Sequence, residues 1–226
     1  MTDEEVIEKR KIIKEYVREL DKQYLIKGLK PISEVFDFTV RRHTGEVCMS
    51  SNIWVSNGNI LYKFLRVPKF VDVFDIDFID VFLERVVFEG ATEILHSSFK
   101  NVTTLKEVKF GDVKDIGQFA FCNTYLKNVV TKASTLEASC FYMCRLLEMV
   151  TLTSKHCVFI DTDAFCGCPS LESITVESER IELSGEEIAD KEGILFDFSK
   201  VKYLEFENFN LRNTKRCYIS SKNFKL

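Results

Sequence analysis

No stretch of this chain approaches the roughly 18 to 20 consecutive apolar residues needed to span a bilayer. The start, MTDEEVIEKRKIIKEYV, has acids where a secretory signal needs a basic segment and an apolar run. A chain that is neither exported nor membrane-spanning is expected, and with it a cytoplasmic setting in which glutathione keeps the eight cysteines as thiols. Their irregular spacing is not that of the disulfide framework of a small secreted domain. The sequence also lacks GxxxxGK[ST], GxGxxG, HExxH and GxSxG, the common signatures of phosphate, dinucleotide, metalloprotease and hydrolase chemistry. A net charge of only −4 gives no global pull toward nucleic acid or anionic membrane. What remains is a composition of 46% hydrophobic and 29% charged residues over 226 positions, enough for one domain with a sizeable core, so partners and sites must be read locally.

The chain divides by texture. Residues 1–30 hold an amphipathic helix: Thr2 can cap it with Glu5 in the reciprocal position, Val6, Ile13, Val17, Leu20 and Tyr24 form a stripe, and Gly28 and Pro31 stop it. Acids and bases mix along its polar face, which favours a packing or capping helix over a membrane-surface one. Residues 31–70 change to a strand period, with VFDFTV, VCMSSNIWV and NILYKFL separated by HTGE and SNGN. Asn57-Gly58 is the strongest hairpin signal in the chain, and a small antiparallel sheet closing one end of the following domain is expected.

Residues 71–176 are a repeat of five units. Aligned on phenylalanine they read VFDIDFIDVFLERVVF, ILHSSFKNVTTLKEVKF, IGQFAFCNTYLKNVVT, LEASCFYMCRLLEMVTL and IDTDAFCGCPSLESITV. Phe78, Phe99, Phe121, Phe141 and Phe165 each follow an aliphatic residue by five positions: Val73, Ile94, Ile116, Leu136 and Ile160. Five or six residues later comes Leu83, Leu105, Leu126, Leu147 or Leu171, and three beyond that Val86, Val108, Val129, Val150 or Ile174. A period of about 20 to 24 residues is that of leucine-rich solenoids. The unit carried by Ile160, Ala164-Phe165, Cys168, Leu171 and Ile174-Thr175-Val176 resembles the BspA-type leucine-rich repeat family, although the strand-ending proline usual there is missing and the unit at Phe121 is one residue short. The resemblance implies an α/β leucine-rich-repeat solenoid of short parallel strands. The helix and small antiparallel sheet precede it, and residues 177–226 follow as a degenerate repeat, at ILFDFSKVKYLEFE, and a C-terminal cap.

DAFCGCPSLESITV, with His156 and Cys157 just upstream, suggests a metal or thiol site. The repeat offers a plainer account. Cys144 and Cys168 share the column three residues after phenylalanine, where Val102 also sits, and Cys140 shares the small column with Ser98, Ala120 and Ala164, so packing is the demand on these thiols. A zinc site or a thiol enzyme built from His156, Cys157, Cys166 and Cys168 is the alternative, but the spacings form no recognised pair of knuckles and no oxyanion element is evident. The acidic clusters DVFDIDFID and VESERIELSGEEIADKE read as solvated faces. The tail LRNTKRCYISSKNFKL offers Arg212, Lys215, Arg216, Lys222 and Lys225 with Tyr218 and Phe224 for nucleic acid. A polar-faced terminal cap is the preferred reading of that tail.

No cofactor or metal is expected, and a non-catalytic module that binds another protein fits best. In each LxxVxF strand the third and fifth residues leave the core and share one concave face. Arg85, Glu107, Asn128, Met149 and Ser173 occupy the third position, and Lys109, Val130, Thr151 and Thr175 the fifth. Val130 and Met149 are expected to anchor a binding patch, with the other seven around them, because exposed apolar residues in a polar strip do nothing obvious for the fold.

Overall fold

The computed structural model describes residues 1–51, 63–79, 81–90, 92–184, 194–207 and 218–220, and among them the chain forms a β-solenoid of about six turns behind an N-terminal helix. The helix, α1 (Asp3–Ile26), begins with the expected capping box: Thr2 N–H donates to the Glu5 carboxylate at 2.7 Å and Glu5 N–H to the Thr2 hydroxyl at 3.2 Å. Asp3, Glu4 and Glu5 in the first turn favour the positive end of the helix dipole. The stripe Val6, Ile13, Val17, Leu20 and Tyr24 is buried against the start of the solenoid. The helix stops where Gly28 turns left-handed (φ +70°) and Leu29 N–H reaches back to the Tyr24 carbonyl, a Schellman closure. No helix among the described residues is long and apolar enough to cross a membrane.

Among the described residues antiparallel pairing is confined to β1 (Asp37–Val40) and β2 (Val47–Ser50). The third run of the expected antiparallel sheet behaves otherwise: β3 (Phe64–Val67) lies parallel to β5 (Arg85–Phe88), with Leu65 beside Val86 and Val67 beside Phe88. Leu65 and Val67 are wholly buried and Arg66 is exposed, so this strand has the inward and outward alternation of a repeat strand and joins the solenoid instead of the cap. The hairpin signal at Asn57-Gly58 lies outside the described residues.

Each unit then contributes two strands, one more than the pattern suggests. One set follows β2 as a parallel array: β4 (Val73–Asp75), β6 (Glu93–Ile94), β8 (Asp115–Ile116), β10 (Thr135–Leu136), β12 (Cys157–Asp161), β14 (Arg180–Ser184) and β16 (Tyr203–Glu207). Ile94, Ile116, Leu136 and Ile160 form its buried aliphatic column, as expected, but the residue beside Ile94 in the first unit is Phe74 and not Val73, which pairs with Glu93, so that unit sits one residue off the expected spacing. The other set carries the LxxVxF strands and falls into two parallel ladders. β3, β5 and β7 (Glu107–Lys109) form the first. β9 (Asn128–Thr131), β11 (Met149–Leu152), β13 (Ser173–Val176), β15 (Leu195–Asp197) and β17 (Tyr218–Ser220) form the second. The run ILFDFSKVKYLEFE supplies β15 and β16, so the degenerate unit continues both arrays, with Ile194, Phe196 and Phe198 buried.

Between the strand arrays lies the phenylalanine spine. Phe74, Phe99, Phe121, Phe141 and Phe165 stack with successive centroids 5.1, 5.1, 5.5 and 5.8 Å apart and ring planes within 9°. Phe78 stacks on Phe99 as well, at 5.3 Å. Offset-stacked rings at this spacing gain attraction beyond the water they displace. The small column before each ring, Ser98, Ala120, Cys140 and Ala164, is fully buried and leaves the rings their room.

The turn holding each ring is itself bonded between units. Phe99 N–H donates to the Ala120 carbonyl, Phe121 to Cys140 and Phe141 to Ala164, at 2.7 to 2.9 Å, which satisfies backbone that irregular structure would otherwise bury unpaired. The geometry demands left-handed backbone two residues after the ring: Asn101, Asn123, Met143 and Gly167 have φ between 55° and 72°. Asparagine and glycine tolerate this region; methionine does so at a cost.

Candidate interaction face

The cysteines are placed by the spine. Cys144 donates its thiol to the Phe121 carbonyl and Cys168 to the Phe141 carbonyl, both at 3.1 Å, while Thr124 in the same column donates its hydroxyl to Phe121 at 3.0 Å. Thiol and hydroxyl therefore serve one purpose, satisfying a buried carbonyl beside the ring. Cys140 is fully buried, and burial pushes its thiol well above the ordinary range. Cys166 and Cys157 are half-buried and point to different carboxylates, Cys166 toward Asp163 at 4.0 Å and Cys157 toward Glu182 at 3.6 Å. Among the described residues no three His, Cys, Asp or Glu side chains come together as a metal-holding group. The basic tail proposed for nucleic acid lies, apart from the backbone of 218–220, outside the described residues.

The outward strand positions separate into two groups. Asn128, Val130, Met149, Thr151, Ser173 and Thr175 share one ladder: Met149 sits between Asn128 and Ser173, and Thr151 between Val130 and Thr175. Arg85, Glu107 and Lys109 lie on the other ladder, and β7 and β9 do not pair. The first group is apolar at its centre. Val130 is 63% and Met149 48% exposed, so neither is covered by α1 or by a described loop. The register adds a residue that the five-unit pattern misses: Leu195 on β15 lies beside Ser173 and is 42% exposed. The degenerate unit conceals it, because ILFDF lacks the phenylalanine and leucine offsets used to align the others.

The second group is engaged with itself. Arg85 Nε lies 3.2 Å from a Glu107 carboxylate oxygen, too poorly aligned for a hydrogen bond but a close ion pair, and the guanidinium sits 5.6 Å from the centre of the Phe64 ring. Arg66 pairs with Glu89 at 3.2 Å on the same ladder. Of the neighbouring opposite charges one position closer to the leucine, Lys127 and Glu148 meet at 3.7 Å across β9 and β11. The outer strand face thus has a polar half where Arg85 and Glu107 neutralise each other and an apolar half whose Val130, Met149 and Leu195 are left exposed by the described residues.

No curated protein and no solved structure matches the chain. The model of the BspA type leucine rich repeat region does match, in six copies over residues 78–192, half of the chain. The copies cover the ring stack from Phe78 to Phe165 and the strands from β5 to β14, and the chain belongs to the BspA-type leucine-rich repeat family.

Proposed function

We propose that the chain is a non-catalytic module that binds a protein partner through the apolar half of the outer strand face, with Val130, Met149 and Leu195 as its contact residues. The supporting observation is the exposure of all three on one ladder. A solenoid gains nothing in stability from large apolar side chains held in water, and such patches on soluble proteins mark interaction sites. Methionine adapts its shape to a partner at little cost, and the surrounding Asn128, Thr151, Ser173 and Thr175 supply a polar border for hydrogen bonds. Membership of a family that is generally a non-catalytic repeat, often used for protein interaction, supports the same reading. Arg85, Glu107 and Lys109 belong to the rim of this surface, with Arg85 and Glu107 contributing shape more than charge because they neutralise each other.

Wild-type and Met149→Glu chains immobilised at equal density should differ in what they retain from the native host. A partner held by the wild type should be weakened by about tenfold, or 1.4 kcal/mol, in the variant, while the melting temperature stays nearly unchanged. A variant that melts several degrees lower, or retains the same partner equally well, would mean that Met149 packs instead of binding.

A further inference from the structure

Arg10, Lys14 and Arg18 recur at every fourth position of α1 and so form one row along the helix. None of the three has an ion-pair partner among the described residues. The row borders a groove of about 570 Å³ whose floor is Ile13, Val17, Phe36 and Phe38 and whose opposite wall is β1.

β1 stands at the end of its sheet, and β2 is its one ladder partner among the described residues. In an antiparallel pair, residues that exchange hydrogen bonds alternate with residues that do not. Arg41 N–H donates to the Glu46 carbonyl at 2.9 Å, so Thr39 and Asp37 face β2 in the same sense, and the backbone groups of Phe38, which lines the groove, and of Val40, just beyond it, face away from β2. At β3 the comparable position is lined by the buried Tyr24, beside Phe64 and Arg66. Polarity is also set. Ser33 is bonded to Asp21, and Lys9 to the Gly45 carbonyl, so β1 runs opposite to α1. Arg10 and Lys14 therefore flank the Val40 end, while Asp21 and Asp37 lie at the other.

We propose that this edge is a second docking site, independent of the outer strand face, which takes an extended acidic segment of another protein. The segment adds as a strand beside β1 through the outward Phe38 and Val40 backbone groups and sets its carboxylates against Arg10 and Lys14. A second copy of this chain fits poorly, because pairing two β1 edges would bring two basic rows together. A flat anionic membrane fits poorly as well, because Ile13, Val17 and Phe36 are each less than a tenth exposed at the bottom of the groove, where a strand can reach and lipid cannot.

The test uses the full chain and fluorescent peptides with a Val-Thr-Val-Thr-Val core and two glutamates at either the amino or the carboxyl end, read by anisotropy at low salt. One of the two should bind. Replacing its glutamates by lysine, N-methylating alternate amides, or using the Arg10→Glu/Lys14→Glu chain should each weaken binding by about tenfold or more. Met149→Glu should leave it unchanged, which separates this site from the strand face. The peptide changes need no alteration of the protein, so they decide the matter even if the double variant folds poorly. Equal binding of the N-methylated or the lysine peptide would overturn the proposal. So would failure of both glutamate peptides, or retention by phosphatidylserine vesicles without peptide binding.

Discussion

At the unit around Phe121 the ring stack and the strand ladder behave differently. Phe121 stacks on Phe99 at 5.1 Å and on Phe141 at 5.5 Å, as regularly as any pair in the spine. On the other side of the same unit the ladder lapses, because β9 does not pair with β7. Five residues separate Phe121 from Leu126, against six in the units on either side. The bond that should open the ladder, from Lys127 N–H to the Lys106 carbonyl by analogy with Lys106 to Glu84, is replaced by an earlier one, from Tyr125 N–H to the Leu105 carbonyl at 3.0 Å. A missing residue is thus absorbed by hydrogen bonds at a solvent-facing strand, while the buried rings hold their register. At this turn the position is fixed by the buried rings together with the unbroken β6–β8–β10 pairing and the bonds of the ring turns, and the outer ladder is the part that gives.

That contrast can be broken in graded steps. Phe121→Ala should cost about 3 to 5 kcal/mol by denaturant unfolding, as truncation of a buried aromatic does. A loss below about 1 kcal/mol would remove the spine from its leading role. Gly167→Ala tests the turn that holds the rings: its φ is +72° and a new Cβ would lie 3.0 Å from the Met143 side chain, so a loss of about 1 to 2 kcal/mol is expected. The ladder can be repaired by inserting a threonine after Thr124, in imitation of Val102-Thr103-Thr104. A gain of about 1 kcal/mol, with slower amide exchange at 128–130, should follow from the restored hydrogen bonds. Unchanged exchange there would show that the short loop is not what opens the ladder. Met143→Gly should add about 0.5 kcal/mol, since relief of left-handed strain slightly exceeds the extra chain entropy of glycine.

The periodic parts of the molecule were legible because each buried column repeats one chemical demand. From Phe99 onward the phenylalanines and leucines, and the capping box at Thr2 and Glu5, are where their spacing puts them, and the cysteine column follows from Val102 at the same offset; in the first unit Phe74 as well as Phe78 stacks on Phe99, which the spacing alone does not show. Strands β6, β8 and β10 were not legible, since two residues are too few to show an alternation. The repeat character of β3 is hidden because its neighbours in sequence have the pattern of a meander, while its partner, 21 residues on, is a repeat strand. At the candidate site, Val130 and Met149 were visible as apolar residues in a polar strip. Leu195 was hidden by a degenerate unit, and the pairing of Arg85 with Glu107 needed the ladder register to appear.

The spine also determines how the molecule would yield to force. Phe99 and Phe121 are 22 positions apart along the chain, yet their rings are separated by 5.1 Å. Fully extended, that many residues cover about 75 Å. A pull applied to the two ends would therefore peel the solenoid coil by coil, each release lengthening the tether by about 70 Å. Resistance at every step would come from one stacked ring and the short strands that share its turn, so the extension under load would rise in steps counted in phenylalanines.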